Sequence, residues 1–288
     1  MEREKILPAS QMPQGAVAIN RQSVSDKLRA YLKKPFSLGA LVLVLLAAAI
    51  TVGAVLWVLV YTLVQGVPNL SARLFEWEYT TENQSMLPAL LNTLFIAGTA
   101  LAVAVPLGVF AAIFMVEYAK SNNVFVKIVR MAAETLAGIP SIVYGIFGML
   151  FFVQLFGWGT SVLSGALTMA LMILPLVMRT TEEALKAVPD SFREGSFALG
   201  AGKLRTIFKI ILPSAMSGII SGVILSLGRI VGETAALIYT AGTATNVAGG
   251  FLKGGETLSI HVYILATNAL YEKEAWAAAV VLIALVLV

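Results

Sequence analysis

Two charged residues, Arg229 and Glu233, stand four apart in the run SLGRIVGETAAL (226–237), which is otherwise free of charge. An arginine at the centre of a membrane helix costs roughly 2.5 to 3.5 kcal/mol on insertion scales, so something must offset it. Two chemistries fit. In the first, positions i and i+4 meet on one helix face and form an ion pair that fixes packing. In the second, the guanidinium offers a planar fork of donors to a tetrahedral oxyanion, and the neighbouring carboxylate keeps that anion from being held too tightly to leave. Spacing alone leaves both open. Stepping by threes and fours places Gly218, Gly222, Ser226, Arg229, Glu233, Leu237 and Thr240 on one face, toward the bundle interior. Ile220, Ile224, Leu227, Val231 and Ile238 fall on the opposite face, and Gly228 and Gly232 invite close approach of another helix beside the charges. Ser226, Arg229, Glu233 and Thr240 are therefore the candidate path residues.

The elements around them are made for lipid. Of 288 residues 58% are hydrophobic and 12% charged, with a mean hydropathy of +0.86, which defines an integral membrane protein. With no cysteine, and with His261 as the one histidine, thiolate and multi-histidine metal sites are excluded. An intramembrane enzyme has little material here for a nucleophile and base. The net charge of +4 is spread over tails and loops rather than gathered in a patch, which argues against a nucleic-acid partner.

About 20 apolar residues cross a hydrocarbon core, and six segments are expected to do so: 38–64, 93–116, 139–156, 161–178, 217–239 and 275–288. The fold class is thus an all-α polytopic bundle, with a tail at 1–37 and a transmembrane domain at 38–288. The first segment reads as a retained anchor, because its polar lead-in is too long for a signal peptide. The last is short and has no basic residue after it, so the native chain is expected to run on. Lys and Arg outnumber Asp and Glu seven to three in the tail and six to four in 179–209, whereas 65–92 has one against three. This alternation puts both termini in the cytoplasm.

The longest cytoplasmic loop, 179–213, is punctuated as helices. Pro189 ends a first piece, Ser191 and Glu194 have the spacing of a capping box that opens a second, and Gly200 is placed to close it in the left-handed conformation. Phe192, Gly195, Ser196 and Leu199 are expected along one stripe of this short helix, fit either for a partner's groove or for capping the bundle. Arg179 reads as an interfacial anchor, with receipt of a departing anion as the alternative. Pro106 and Pro140 are expected to kink or end helices.

The stretch EGSFALGAGKLRTIFKIILP resembles the cytoplasmic signature of binding-protein-dependent ABC importer permeases, with Glu194, Gly200, Ile210, Leu212 and Pro213 in register. Gly195-Ser196 replaces the usual two alanines and keeps their small size. The resemblance implies a type I importer-like permease whose short helix, through Ser191, Phe192, Glu194, Gly195, Ser196, Leu199 and Gly200, couples to a separate ATPase chain. No cofactor is expected in this chain, and ATP and Mg²⁺ belong to the partner subunits. GAGKLR is not a phosphate loop, since Leu204 stands where Ser or Thr must hold magnesium and Phe197 where the first glycine is required.

A narrower resemblance, to the permeases of phosphate-specific ABC importers, rests on VPLGVFAAIFMVEYA (105–119), AGIPSIVYGIFG (137–148), GRIVGETAALIYTAG (228–242) and LSIHVYILAT (258–267). The Gly-Glu-Thr-Ala-Ala run followed by Thr-Ala-Gly is closer to the A-type than to the C-type subunit. It implies half of a phosphate pore, paired with a related permease chain as a heterodimer in membrane lipid, with two ATP-binding subunits below and a phosphate-binding protein outside. Arg229 and Glu233 are then the residues expected at the phosphate path. The rival readings are a C-type permease, a permease for another oxyanion, and an ATP-independent secondary anion transporter.

Overall fold

Leu-, Val- and Ala-rich runs longer than a membrane is thick, broken by few glycines and prolines, have one economical solution, which is the helix. The computed structural model describes residues 35–119 and 123–287, and all regular structure among them is helical. The expected tail lies outside the described residues up to 34.

The chain divides into two units, 1–60 and 61–288. The first contains most of helix α1 (Pro35–Gly66), which is apolar all round and carries Leu43, Ile50 and Trp57 exposed. The second contains α2 (Leu87–Tyr118), α3 (Val124–Ala137), α4 (Ser141–Leu155), α5 (Val162–Ala187), α6 (Asp190–Ala198), α7 (Lys203–Val231), α8 (Ala235–Thr240), α9 (Leu258–Thr267) and α10 (Glu272–Leu287). Helices α1, α2, α5 and α7 are each long and apolar enough to cross a membrane, and the bent pair α3–α4 makes a fifth if taken as one span. The expected last span corresponds to α10, whose 16 residues fall short of a full crossing.

Three boundaries differ from expectation. Residues 124–137, read as loop, form α3, because Lys127, Arg130 and Glu134 recur at helical spacing and Asn123 caps the start by accepting from the Phe125 N–H. Gly138 and Pro140 then break the chain, and α4 leaves at 101° to α3. Pro106, by contrast, ends nothing, since α2 runs through it. The fourth span does not stop at 178 but continues to Ala187, carrying Arg179, Glu182, Glu183 and Lys186 on the same rod.

Helices α5 and α7 pack antiparallel through small residues. A Cβ on Gly222 would lie 2.1 Å from Thr180 Oγ1, and one on Gly218 2.7 Å from the Ala184 Cβ. Gly108 brings α2 equally close to Val177. Gly222→Val is therefore expected to force α5 and α7 apart and, at roughly 1 to 3 kcal/mol or more for overpacking, to lower the yield of folded protein in detergent. A monodisperse, unchanged melting profile would contradict this.

The loop 241–257 closes the other end of the bundle. Its carbonyls at Phe251 and Lys253 accept the Leu163 and Val162 N–H groups, satisfying the free donors at the start of α5. Asn92 of α2, fully buried, donates to the Asn246 and Glu256 carbonyls and accepts from the Ala248 N–H.

Candidate functional site

The continuous fifth span expected over 217–239 is interrupted beside the charges. Helix α7 ends at Val231 with Gly232 as its C-terminal cap, and α8 restarts at Ala235. The Glu233 carboxylate accepts the Ala236 N–H at 3.2 Å, and a negative group there also suits the N-terminal end of α8. Ser259 Oγ donates to the Glu233 carbonyl at 2.6 Å and ties the break to α9. Arg229 and Glu233 thus do not sit at i and i+4 of one helix, and among the described residues no ion pair joins them.

Arg229 is exposed, in the last turn of α7, where a cation complements the carbonyl end of the helix. Its side chain makes no hydrogen bond or ion pair among the described residues. It lines a cavity of about 310 Å³ between α3, α5 and α7, together with Arg130, Glu134, Arg179, Glu182, Glu183 and Lys186. Met172, Pro175 and Leu176 form the apolar part of the wall. The other cations here are engaged. Arg130 Nη2 lies 2.5 Å and Lys186 Nζ 2.6 Å from the same Glu182 oxygen, and Arg179 Nε is 3.1 Å from Glu183. Arg130 Nε is buried without a partner. The arrangement leaves the Arg229 guanidinium uncommitted, at a wall where its positive neighbours are largely neutralised.

Ser226 and Thr240 are fully buried, and each hydroxyl donates back to its own helix, to the Gly222 carbonyl at 2.8 Å and the Ala236 carbonyl at 2.8 Å. Gly218, Gly222 and Ser226 do face the bundle, whereas Arg229 lies at the edge of that face and opens to the cavity. Val231, expected toward lipid, is 3% exposed, because the helix ends there and turns inward. Among the described residues, no other element approaches Gly228 or Gly232 within van der Waals contact of an added Cβ.

Beyond the C-terminal end of α5 stands α6. The expected capping box is absent: Pro189 is the N-cap, Asp190 opens the helix, and Ser191 lies inside the first turn without a capping bond. Proline ahead of the first turn gives the fixed backbone entry that Ser191 was expected to supply. The C-terminal reading holds. Gly200 has φ +80°, its N–H donates to the Phe197 carbonyl at 2.9 Å, and the Ala201 N–H reaches the Ser196 carbonyl at 3.1 Å, a Schellman closure. The expected stripe is split. Phe192, Gly195 and Leu199 are exposed, whereas Ser196 turns inward to bond Thr206 Oγ1 at 2.8 Å; Glu194 is exposed.

Two clusters escaped the sequence reading. Arg193 bonds Glu117 from across the chain, with contacts at 2.7 and 3.1 Å. His261 Nδ1 pairs with Glu256 at 2.8 Å, both buried, with Tyr79 edge-on to the imidazole at 6.2 Å. Burial, and next the Glu256 charge, push the Tyr79 hydroxyl above the usual phenol range. Glu117 lies 76 residues before Arg193, and Glu256 five before His261, in the loop ahead of α9.

Long apolar helices packed through glycines, a short exposed helix set between two of them, and a cavity bearing an uncommitted arginine define a membrane permease subunit. The chain belongs to the family of binding-protein-dependent transport system inner membrane components, whose model matches residues 104–288. It is 34% identical over 245 residues to the probable ABC transporter permease protein YqgI of Bacillus subtilis (strain 168), covering 78% of this chain and 81% of that protein. It is 38% identical over 201 residues to the phosphate transport system permease protein PstA of Mycobacterium leprae, covering 69% and 66%. In fold it is similar to a chain of a bacterial alginate ABC transporter solved with an alginate-bound periplasmic protein (TM-score 0.58, 18% identity, 84% and 91% covered). A chain of the inward-facing MetNI methionine ABC transporter gives a TM-score of 0.55 at 20% identity, covering 69% and 87%.

Proposed function

We propose that the chain is a permease subunit of an ATP-driven phosphate importer in the prokaryotic inner membrane. It forms half of the pore beside a related permease chain, above two ATP-binding subunits and below a phosphate-binding protein. ATP and Mg²⁺ are bound by those ATPase partners, and this chain makes and breaks no bonds. The identity to phosphate permeases of the A type supports the substrate. The observation that carries the mechanism is the uncommitted Arg229 guanidinium on the cavity wall.

The excess of basic residues over 179–209 supports a cytoplasmic α5–α6 end, with the cavity as an inward vestibule. Arg229 contacts the oxyanion, and Glu233 fixes the α7–α8 break from which Arg229 projects while keeping a negative charge close by. Ser226 and Thr240 hold the backbone of the two helices beside the path. Closure of the ATPases displaces α6, and the spans rock between outward and inward openings. The test is uptake of labelled phosphate by the assembled complex in liposomes. Dependence on ATP and on the external binding protein is expected, and phosphate flux through this chain alone without ATP would refute the reading in favour of a secondary transporter.

Gly200→Val places a β-branched side chain at φ +80°, at about 1 to 2 kcal/mol. It is expected to fray the end of α6 and to weaken co-purification with the ATPase several-fold. Unchanged co-purification would count against α6 as the docking element.

A further inference from the structure

Among the described residues, the side-chain hydrogen bonds from α6 to other elements run mainly through Arg193, with Ser196 adding one to Thr206. Arg193 Nη2 and Nε both donate to Glu117 Oε1, at 2.7 and 3.1 Å. Nη2 also donates to the Leu185 carbonyl at 3.0 Å and Nη1 to the Val188 carbonyl at 2.9 Å, and Nη1 reaches Asp190 at 3.1 Å. The two side chains are 16% and 8% exposed. One guanidinium thus joins three elements: α6 itself, the unsatisfied carbonyls at the end of α5, and the end of α2. A cation on terminal helix carbonyls is doubly favoured, by hydrogen bonding and by the helix dipole.

The α2 end is unusual. Phe114–Tyr118 is a π-helical turn, a geometry that recurs at functional sites. Its last two residues each hold one flank of the α6 loop, with Glu117 taking Arg193 before the turn at Gly200 and the Tyr118 ring lying 4.8 Å from Lys203 Nζ after it. Another π turn, Ile207–Ile211, lies directly ahead in α7. Separating a largely buried ion pair is costly, since each partner is then left in a poorly solvated place.

We propose that Arg193 is a positioning residue for transport: through Glu117 it imposes each displacement of α6 on α2, so that α2 and α5 move with the ATPase as one body. The proposal rests on α6 being the ATPase-docking helix, and it assigns the route by which docking reaches the spans.

The experiment uses the complete importer in liposomes and reads phosphate taken up per ATP hydrolysed, with subunit stoichiometry checked by gel. Arg193→Gln and Glu117→Gln are each expected to lower that ratio about ten-fold or more while ATP hydrolysis continues. The double variant is expected to match the worse single within about two-fold, as two residues acting through one contact must. Arg193→Lys keeps the ion pair but forfeits most of the carbonyl bonds, and is expected to fall between wild type and Gln. A wild-type ratio in either Gln variant overturns the proposal. So does equal loss of uptake and hydrolysis, or effects of the singles that multiply in the double. Failure of the Gln variants to assemble, with Arg193→Lys no better, would assign the contact to folding alone and also overturns it. Cross-linking of Leu199→Cys to the ATPase checks the underlying reading separately, because it reports docking whatever the clamp does.

Discussion

Arg229→Gln is expected to abolish phosphate uptake while the assembled complex goes on hydrolysing ATP. The argument is one of uncompensated loss. In the wild type the guanidinium carries a full charge that no carboxylate neutralises among the described residues, at the end of α7 and on the wall of a cavity of about 310 Å³. A bidentate, charge-assisted contact to an oxyanion is made of bonds worth roughly 1.5 to 3 kcal/mol each. Removing it leaves an anion in a partly apolar vestibule with Arg130, Arg179 and Lys186 already drawn to Glu182 and Glu183. A loss of about 3 to 4 kcal/mol corresponds to roughly 100- to 1,000-fold. Arg229→Lys keeps the charge but not the planar fork, so uptake should remain poor. Because Arg229 makes no contact that holds the fold, neither variant should alter assembly. Initial rates of labelled phosphate uptake, measured beside ATPase activity in the same vesicles, decide the matter. Wild-type uptake in Arg229→Gln would remove the residue from the path.

The all-helical class, the apolar segments of α1, α2, α4 and α5 and the left-handed closure at Gly200 were legible in the sequence because each rests on local physics: length of an apolar run, fixed φ of proline, freedom of glycine at positive φ. The break that separates Arg229 from Glu233 was not. A four-residue spacing implies a shared face only if the helix is continuous, and Gly232-Glu233-Thr234 is both a tolerable helix interior in a membrane and an effective stop and restart. The tie from Ser259 on α9 to the Glu233 carbonyl, 26 residues away, takes part in the choice, and no local pattern announces it. The same holds for Ser191, where Pro189 pre-empted the cap. It holds for Arg193 too, whose partner Glu117 lies 76 residues earlier. What the sequence reading missed are contacts between elements, and those decide which charges are committed and which are available.

The second large effect is expected at the exposed end of α6. Leu199 is 90% exposed, Phe197 48% and Phe192 47%, with Leu204 at 65% just beyond the Gly200 turn. This cluster sits in the most charged loop of the chain, outside the apolar spans, so lipid does not account for it. Burying a leucine fully is worth about 1.5 to 3 kcal/mol, and an unpaired carboxylate forced into the same groove adds a desolvation cost of several kcal/mol. Leu199→Asp is therefore expected to weaken association with the ATPase by roughly 100-fold or more and to abolish ATP-driven uptake. The permease itself should remain folded, because Leu199 has no neighbours to lose. Ser191→Ala supplies the contrast. Had Ser191 been the cap, about 1 kcal/mol would go with it, whereas an exposed serine inside the first turn, making no capping bond, should leave association unchanged within about two-fold. Titration of detergent-solubilised permease variants with the ATPase subunit separates these outcomes. Tight binding by Leu199→Asp would mean that the ATPase docks elsewhere, and the exposed apolar end of α6 would then need another occupant.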